Sequence, residues 1–325
     1  RGLVGSEMCI RDRSNMVQTI SAMGPQFEQH FNLLISSQID TPYPWSGMLM
    51  GLGIVLSTAY FSSNQAVIQR VLGARSEWDA KASMLLAAFL KLLIPVLVLL
   101  PGLAALALYP ELENPDEAVP KLVRELLPPG LAGLVFAAFF AALMSSVDSY
   151  LNSATTIIIS DGYKPAARAL IGADPDDRGL LILSRVLTGL LIVAAGFLAP
   201  FIDQFETIYT AMQTLFSLFQ GPTLAVLVLG VFWRRANAWG GFAGLLLGVL
   251  CSGSLSLVGE SLFPSDDPFL YVAFWAFVFS LIVTVVVSLL TPPPSKNQVR
   301  GLVYGEVIRD ETTQTLLKEL SLIHI

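Results

Sequence analysis

The sequence predicts an all-α transmembrane fold, on three observations: its composition, the length of its apolar runs and the placement of its basic residues. Of 325 residues, 54% are hydrophobic and 14% are charged, and the mean hydropathy is +0.65. Soluble domains carry about 25% charged residues, so 14% is too few to cover a surface that faces water. High apolar content also excludes disorder. A net charge of −6 gives no basic footprint for nucleic acid. The surroundings these numbers fit are a lipid bilayer, and the protein is expected to be a multi-pass component of the cell membrane.

Windows of about 20 apolar residues have the length that crosses about 30 Å of hydrocarbon as a helix. Seven occur: Trp45–Gln69, Ala82–Leu108, Leu131–Ile159, Leu180–Phe201, Ile208–Trp233, Trp239–Val258 and Phe269–Leu290. The runs are continuous and long, whereas strands of a membrane barrel alternate and are short. Lys and Arg are retained in cytoplasmic loops. With the first connection inside, twelve basic residues fall on that side and only Lys121 and Arg124 on the other, so the first span runs from outside to inside.

The chain therefore divides into an outer segment (14–44), a seven-helix region (45–291) and a cytoplasmic tail (292–319). In the outer loop Tyr109–Gly130, Asn114-Pro115-Asp116-Glu117 supplies a cap, a first-turn proline and acidic residues ahead of an apolar stripe, which predicts a short interfacial helix. The two ends read differently. Met8-Cys9-Ile10-Arg11-Asp12-Arg13 and Leu320-Ser321-Leu322-Ile323-His324-Ile325 can be encoded by the two strands of one oligonucleotide, as a translated sequencing adaptor would be. Residues 1–13 and 320–325 are therefore set aside from fold reasoning, and the remainder is expected to be a fragment. No Walker, Rossmann or zinc-ligand spacing occurs, so neither an enzyme nor a bound cofactor is expected.

Polar residues inside apolar runs carry the functional signal. Lys91 lies about nine residues, or about 14 Å, into its span, too deep for its stem to reach the inner boundary, and is expected to face a polar cavity. Arg185, nearer its boundary, is expected to snorkel. In the third span Ala142, Ser145, Ser146, Ser149 and Ser153 share one helix face. A small, hydroxylated face can let helices approach closely, or it can offer oxygens to a dehydrated hard cation. Asp148 lies beside it and carries no single assignment: it can tune a cation site, carry a proton or bond to a neighbouring helix.

The stretch Ala141–Pro165 resembles the signature helix of the sodium/solute symporter family, nearest its sodium/glucose cotransporter branch. Tyr60-Phe61-Ser62-Ser63-Asn64-Gln65 through Gln69-Arg70, Phe89-Leu90-Lys91-Leu92, Pro101-Gly102 and Gly221-Pro222 through Phe232-Trp233-Arg234-Arg235 match in the same order. The resemblance implies a LeuT-type inverted-repeat fold, with the first five spans as the second repeat and two peripheral helices after it. It implies that the N-terminal repeat of the same chain is missing. Ser145 and Ser146 would then give side-chain oxygens, and Ala142 its carbonyl, to Na⁺. Lys91 would donate to solute hydroxyls and Tyr60 would stack on the solute, with Ser57, Asn64 and Gln213 as further contacts. Asn64 has a plainer alternative, as a satisfier of backbone groups where its span breaks or as a helix cap.

Two positions depart from the sugar-transporting pattern. Ser57 stands where an asparagine occurs in relatives, and alignment on Gly221-Pro222 puts Thr214 at the expected glutamine, one residue from Gln213. The expected activity is Na⁺-coupled symport of a small polar solute by alternating access, most readily a monosaccharide, with an inositol or another organic solute as the alternative. A transporter-like sensor domain is the rival from another class.

Overall fold

The computed structural model describes residues 13–23, 32, 34–36, 43–112, 114–172, 175–205, 207–263, 268–299 and 301–304. The two adaptor-like stretches, apart from Arg13, and the tail beyond 304 lie outside these. Among the described residues every regular element is helical. Seven helices are long and apolar enough to cross a membrane, and the protein is a multi-pass membrane protein.

The elements are α1 (Arg13–Ala22), α2 (Trp45–Ser63), α3 (Gln65–Leu72), α4 (Glu77–Lys91), α5 (Ile94–Leu108), α6 (Ala118–Leu126), α7 (Pro129–Ile157), α8 (Lys164–Ile171), α9 (Asp177–Leu198), α10 (Ile208–Phe232), α11 (Ala238–Leu262), α12 (Phe269–Leu290) and α13 (Lys296–Val299). They fall into two compact units, one of residues 1–32 and 64–212 and one of residues 33–63 and 213–325.

Three spans differ from their expected limits, each for a backbone reason. The first is not continuous to Gln69. It stops at Ser63, and Asn64, with extended φ and ψ of −75° and 113°, caps α3 by accepting the Ala66 amide at 3.0 Å. The second, expected from Ala82 to Leu108, runs as one span from Glu77 to Leu108, but its ladder tightens at Leu92 and Leu93, whose amides bond Phe89 and Leu90, three residues back. Pro95 has no N–H for the carbonyl four residues back, which is that of Lys91, so α4 ends on Lys91. The third, expected to end at Ile159, continues through a π-helical stretch, Ile158–Tyr163, into α8. The wider turn there accommodates Pro165, whose missing donor would otherwise break the helix.

In the first unit α6 is the expected short amphipathic helix. Asn114 accepts the Asp116 amide at 2.9 Å, a 3₁₀ turn follows over Pro115–Glu117, and Leu122 is buried. Asp116 in turn caps α10, its Oδ2 accepting the Ile208 amide at 2.9 Å. Ile20 of α1 is fully buried against Leu103 and Leu106 of α5.

The second unit holds the tighter packing. Val55, Leu56 and Ala59 of α2 meet Leu224 of α10 and Phe269, Leu270 and Ala273 of α12. Gly240, Gly244 and Gly248 on α11 face Ser288, Thr284 and Ser280 on α12, so the two backbones approach closely. Ser280 Oγ donates to the Gly244 carbonyl at 2.8 Å. Pro222 inside α10 cannot bond the Leu218 carbonyl; Ser252 Oγ of α11 donates to that carbonyl at 2.7 Å instead.

Candidate functional site

In the first unit the candidate cation ligands lie in the middle of α7, an uninterrupted helix over Ala142, Ser145 and Ser146. Serines inside apolar helices commonly turn back to the carbonyl four residues earlier. Ser62, Thr223 and Ser254 all do so, at 2.6, 2.7 and 2.9 Å. Ser145 and Ser146 do not: neither hydroxyl bonds to a described residue, and both are exposed. A back-bond would use the O–H proton only; with no described partner on either hydroxyl, the proton is free to turn away and the oxygen lone pairs can face a hard cation.

One turn on, Ser149 behaves otherwise. Its Oγ donates to the Ser145 carbonyl at 2.9 Å and accepts from Arg70 Nη2 at 3.0 Å. Asp148 is exposed and makes no ion pair or hydrogen bond with a described residue. Ser153, at the buried end of the same face, has an Oγ with no partner among the described residues. Thr155 Oγ1 meets Thr188 Oγ1 of α9 at 3.3 Å, which places helix packing on the later turns of α7. Thr155 lies about 200° round the helix from Ser153, so this packing contact uses the opposite side of α7 from the serine face.

Lys91, also in the first unit, is the last residue of the 15-residue α4, about 21 Å of rise from its start. The side chain is exposed and sits beside the tightened turn at Leu92 and Leu93 rather than within a regular helix. Asn64 belongs to this unit too, with its side-chain oxygen spent on the α3 cap.

Ser57, Tyr60 and Gln213 belong to the second unit. Ser57 and Tyr60 are one turn apart on α2, both half-buried. The preceding stretch, Met48–Leu56, is π-helical, so the Ser57 amide bonds Leu52, five residues back. Gly51 in that stretch permits the backbone of Leu270 to lie where a β-carbon would be. The Tyr60 ring lies 6.5 Å from that of Phe216 on α10, at 49°. Gln213 precedes Phe216 by three residues and so shares its face, which puts Gln213 toward α2 without a bulge in α10. Thr214, two residues before Phe216, lies about 200° round the helix from it, and its carbonyl accepts from buried Ser217 at 2.7 Å. A cleft of about 430 Å³ in this unit, lined by Asn237, Trp239, Pro293 and Val303 among others, contains none of the candidate residues.

The description of the sodium:solute symporter family matches residues 6–248, most of the chain. The chain belongs to that family. Its relatives include the sodium/myo-inositol cotransporter of Bos taurus, 33% identical over 299 residues that make up 82% of this chain and 41% of the relative. The human protein of the same name is also 33% identical, over 302 residues. Sodium/myo-inositol cotransporter 2 of Oryctolagus cuniculus is 33% identical over 320 residues, 87% of this chain and 46% of the relative. The chain spans less than half the length of these curated relatives.

Two features of this symporter-family chain escaped the sequence reading. The π-helical turns had a signal only in Gly51 and Gly53 and in Gly162 before Pro165, and glycine is equally compatible with an ordinary helix. The Arg70–Ser149 bond joins residues 79 apart. Its separate halves, a basic residue after the α2 break and a serine four residues after Ser145, are visible, but no local pattern joins them.

Proposed function

We propose that the protein is a Na⁺-coupled symporter of a small polyhydroxylated solute, working by alternating access on a LeuT-type inverted-repeat core. The five spans from α2 to α10 form its second repeat, α11 and α12 are peripheral, and the first repeat lies in a part of the protein not represented here. The observation that carries the reading is the pair of open hydroxyls, Ser145 and Ser146, on α7 of a chain that belongs to the sodium:solute symporter family. They bind Na⁺ with the Ala142 carbonyl, and the remaining oxygens come from the absent repeat. A desolvated alkali cation needs several oxygens, so this set is partial by itself.

Na⁺ stabilises the state that accepts solute, and its loss on the cytoplasmic side releases both. A ligand shifts such an equilibrium only through its differential affinity for the two states. Lys91 donates to solute hydroxyls, Tyr60 covers a C–H face, and Ser57 and Gln213 add hydrogen bonds. Asn64 acts through the α3 cap, at the edge of the site.

The relatives, sodium/myo-inositol cotransporters by name, favour a cyclic polyol such as myo-inositol over a monosaccharide. A serine at position 57 and a glutamine displaced to position 213 fit a solute differing from the sugars of the cotransporter branch. The test is uptake of labelled myo-inositol and of labelled glucose by a full-length protein carrying this chain, in Na⁺ and in choline. Na⁺-dependent uptake that is lost in Ser145→Ala/Ser146→Ala is the expected result. Uptake indifferent to Na⁺ replacement sinks the coupling, and glucose preferred to myo-inositol sinks the choice of solute.

A further inference from the structure

A side-chain hydrogen bond that reaches the turn of α7 beyond Ser145 from another helix carries a positive charge. Arg70, in the last turn of α3, donates from Nη2 to Ser149 Oγ at 3.0 Å, and Ser149 Oγ donates to the Ser145 carbonyl at 2.9 Å. Successive donors of this kind polarise one another, so the guanidinium strengthens the hold of Ser149 on the Ser145 carbonyl. Arg70 makes no ion pair with a described residue, although Asp148 is the chain neighbour of its acceptor. Among the described residues its charge is not paired with a carboxylate. An arginine in the last turn of a helix is ordinarily explained by the helix dipole and by solvent. That account does not explain why the side chain turns to a hydroxyl on α7, one turn beyond Ser145.

Building on the reading of Ser145 and Ser146 as Na⁺ ligands, we propose that Arg70 is a positioning residue that holds this turn of α7 through Ser149 and keeps the Na⁺ site weak enough to empty. The two hydrogen bonds bound the separation between Nη2 and the Ser145 carbonyl oxygen at about 6 Å. For a cation about 10 Å from the guanidinium, in surroundings of effective dielectric about 20, a unit charge changes occupancy by about tenfold. The basic-loop pattern places Arg70 on the cytoplasmic side of the membrane. The repulsion therefore acts where Na⁺ must leave. A coupling ion has to bind from one side and let go on the other, and a fixed cation at the exit serves the second need.

The experiment measures solute uptake against external Na⁺ in a full-length protein carrying Arg70→Gln, a change that keeps an N–H donor for Ser149 and removes the charge. The half-saturating Na⁺ concentration falls about tenfold and the maximal rate falls as release slows, whereas the solute KM at saturating Na⁺ moves by less than about twofold. Arg70→Lys, which retains the charge, shifts Na⁺ half-saturation less than Arg70→Gln. Loss of a merely structural residue weakens ion binding; tighter binding is the signature of the charge. Ser149→Ala, a mild change within a helix, frees Arg70 from the turn and lowers half-saturation by about threefold, which keeps the idea testable if Arg70→Gln fails to reach the membrane. Half-saturation unchanged or raised in Arg70→Gln, or unchanged in Ser149→Ala where only that variant is expressed, overturns the proposal. Ser145→Ala/Ser146→Ala separates the two readings: if Na⁺ dependence survives there, the sodium site itself is wrong, and if it is lost while Arg70→Gln is inert, only the role of Arg70 fails.

Discussion

Gly248→Ala tests whether the close approach of α11 to its neighbours is built from the absence of side chains. A β-carbon at Gly248 would lie 2.8 Å from Pro222 Cβ, 2.9 Å from Pro222 Cγ and 2.9 Å from Ser280 Cβ. Carbon atoms in contact settle at about 3.5–4.0 Å, so each distance is short by roughly 0.6–1.2 Å. Neither neighbour can swing aside, because the proline ring is locked to its backbone and Ser280 is fully buried, with its hydroxyl bonded to Gly244. Forcing a methyl group into such a place costs about 1–3 kcal/mol. The control is Gly253→Ala in the same helix, where no atom lies within 4 Å of the new carbon. Both variants gain about 1 kcal/mol of helix propensity, which cancels in the comparison. Gly248→Ala is therefore expected to be less stable than Gly253→Ala by about 1–3 kcal/mol. Unfolding by SDS in mixed micelles, followed by far-ultraviolet circular dichroism, measures the difference. A midpoint for Gly248→Ala equal to or above that of Gly253→Ala refutes the reasoning.

Three further outcomes follow from contacts already described. Ser252→Ala leaves the Leu218 carbonyl without its donor and costs about 1–3 kcal/mol; in a Pro222→Ala background, where the backbone regains an N–H, the cost drops below about 0.5 kcal/mol, and equal costs in the two backgrounds argue against the exchange. Asp116→Ala removes the cap on Ile208 and lowers stability by about 0.5–2 kcal/mol, whereas Asp116→Asn keeps most of it, as paired melting curves will show. Lys91→Ala raises the half-saturating solute concentration at least tenfold, the size of a hydrogen bond to a charged group, and leaves Na⁺ half-saturation at saturating solute within about twofold; a change confined to Na⁺ removes Lys91 from the solute site.

The number of spans and the helix under Asn114 were legible because hydrophobic length and capping chemistry are local. Three span limits were not, and each turns on a backbone donor. Asn64 was open to a cap or a solute contact on sequence alone; its φ, ψ and bond to Ala66 show the cap, which occupies Oδ1. Pro95 was visible, but a proline inside an apolar run can kink a helix or end it, and the outcome depends on tertiary surroundings. Pro165 was visible too, but the wider turn that carries α7 on into α8 is not encoded by any single residue type. The serine face was read correctly as one face, since helical spacing dictates it. That Ser145 and Ser146 keep their hydroxyls open while Ser149 turns back was not readable, because side-chain rotamers answer to neighbours distant in sequence. Gln213 is the converse case. Alignment on Gly221-Pro222 made it one residue out of place, yet its three-residue offset from Phe216 puts it on the face that meets Tyr60.

The loan of a carbonyl from α10 to Ser252 of α11 has a mechanical corollary. A helix that satisfies its own backbone can roll about its axis at little cost, whereas one that has handed a bond to its neighbour cannot turn without tearing it. From Gln213 onward α10 is pinned in this way, and Gly248 seats against the same proline. Any bending then falls to joints elsewhere: among the described residues the helical ladder is broken at Asn64 and tightened at Leu92 and Leu93, whose amides bond the carbonyls of Phe89 and Leu90, three residues back.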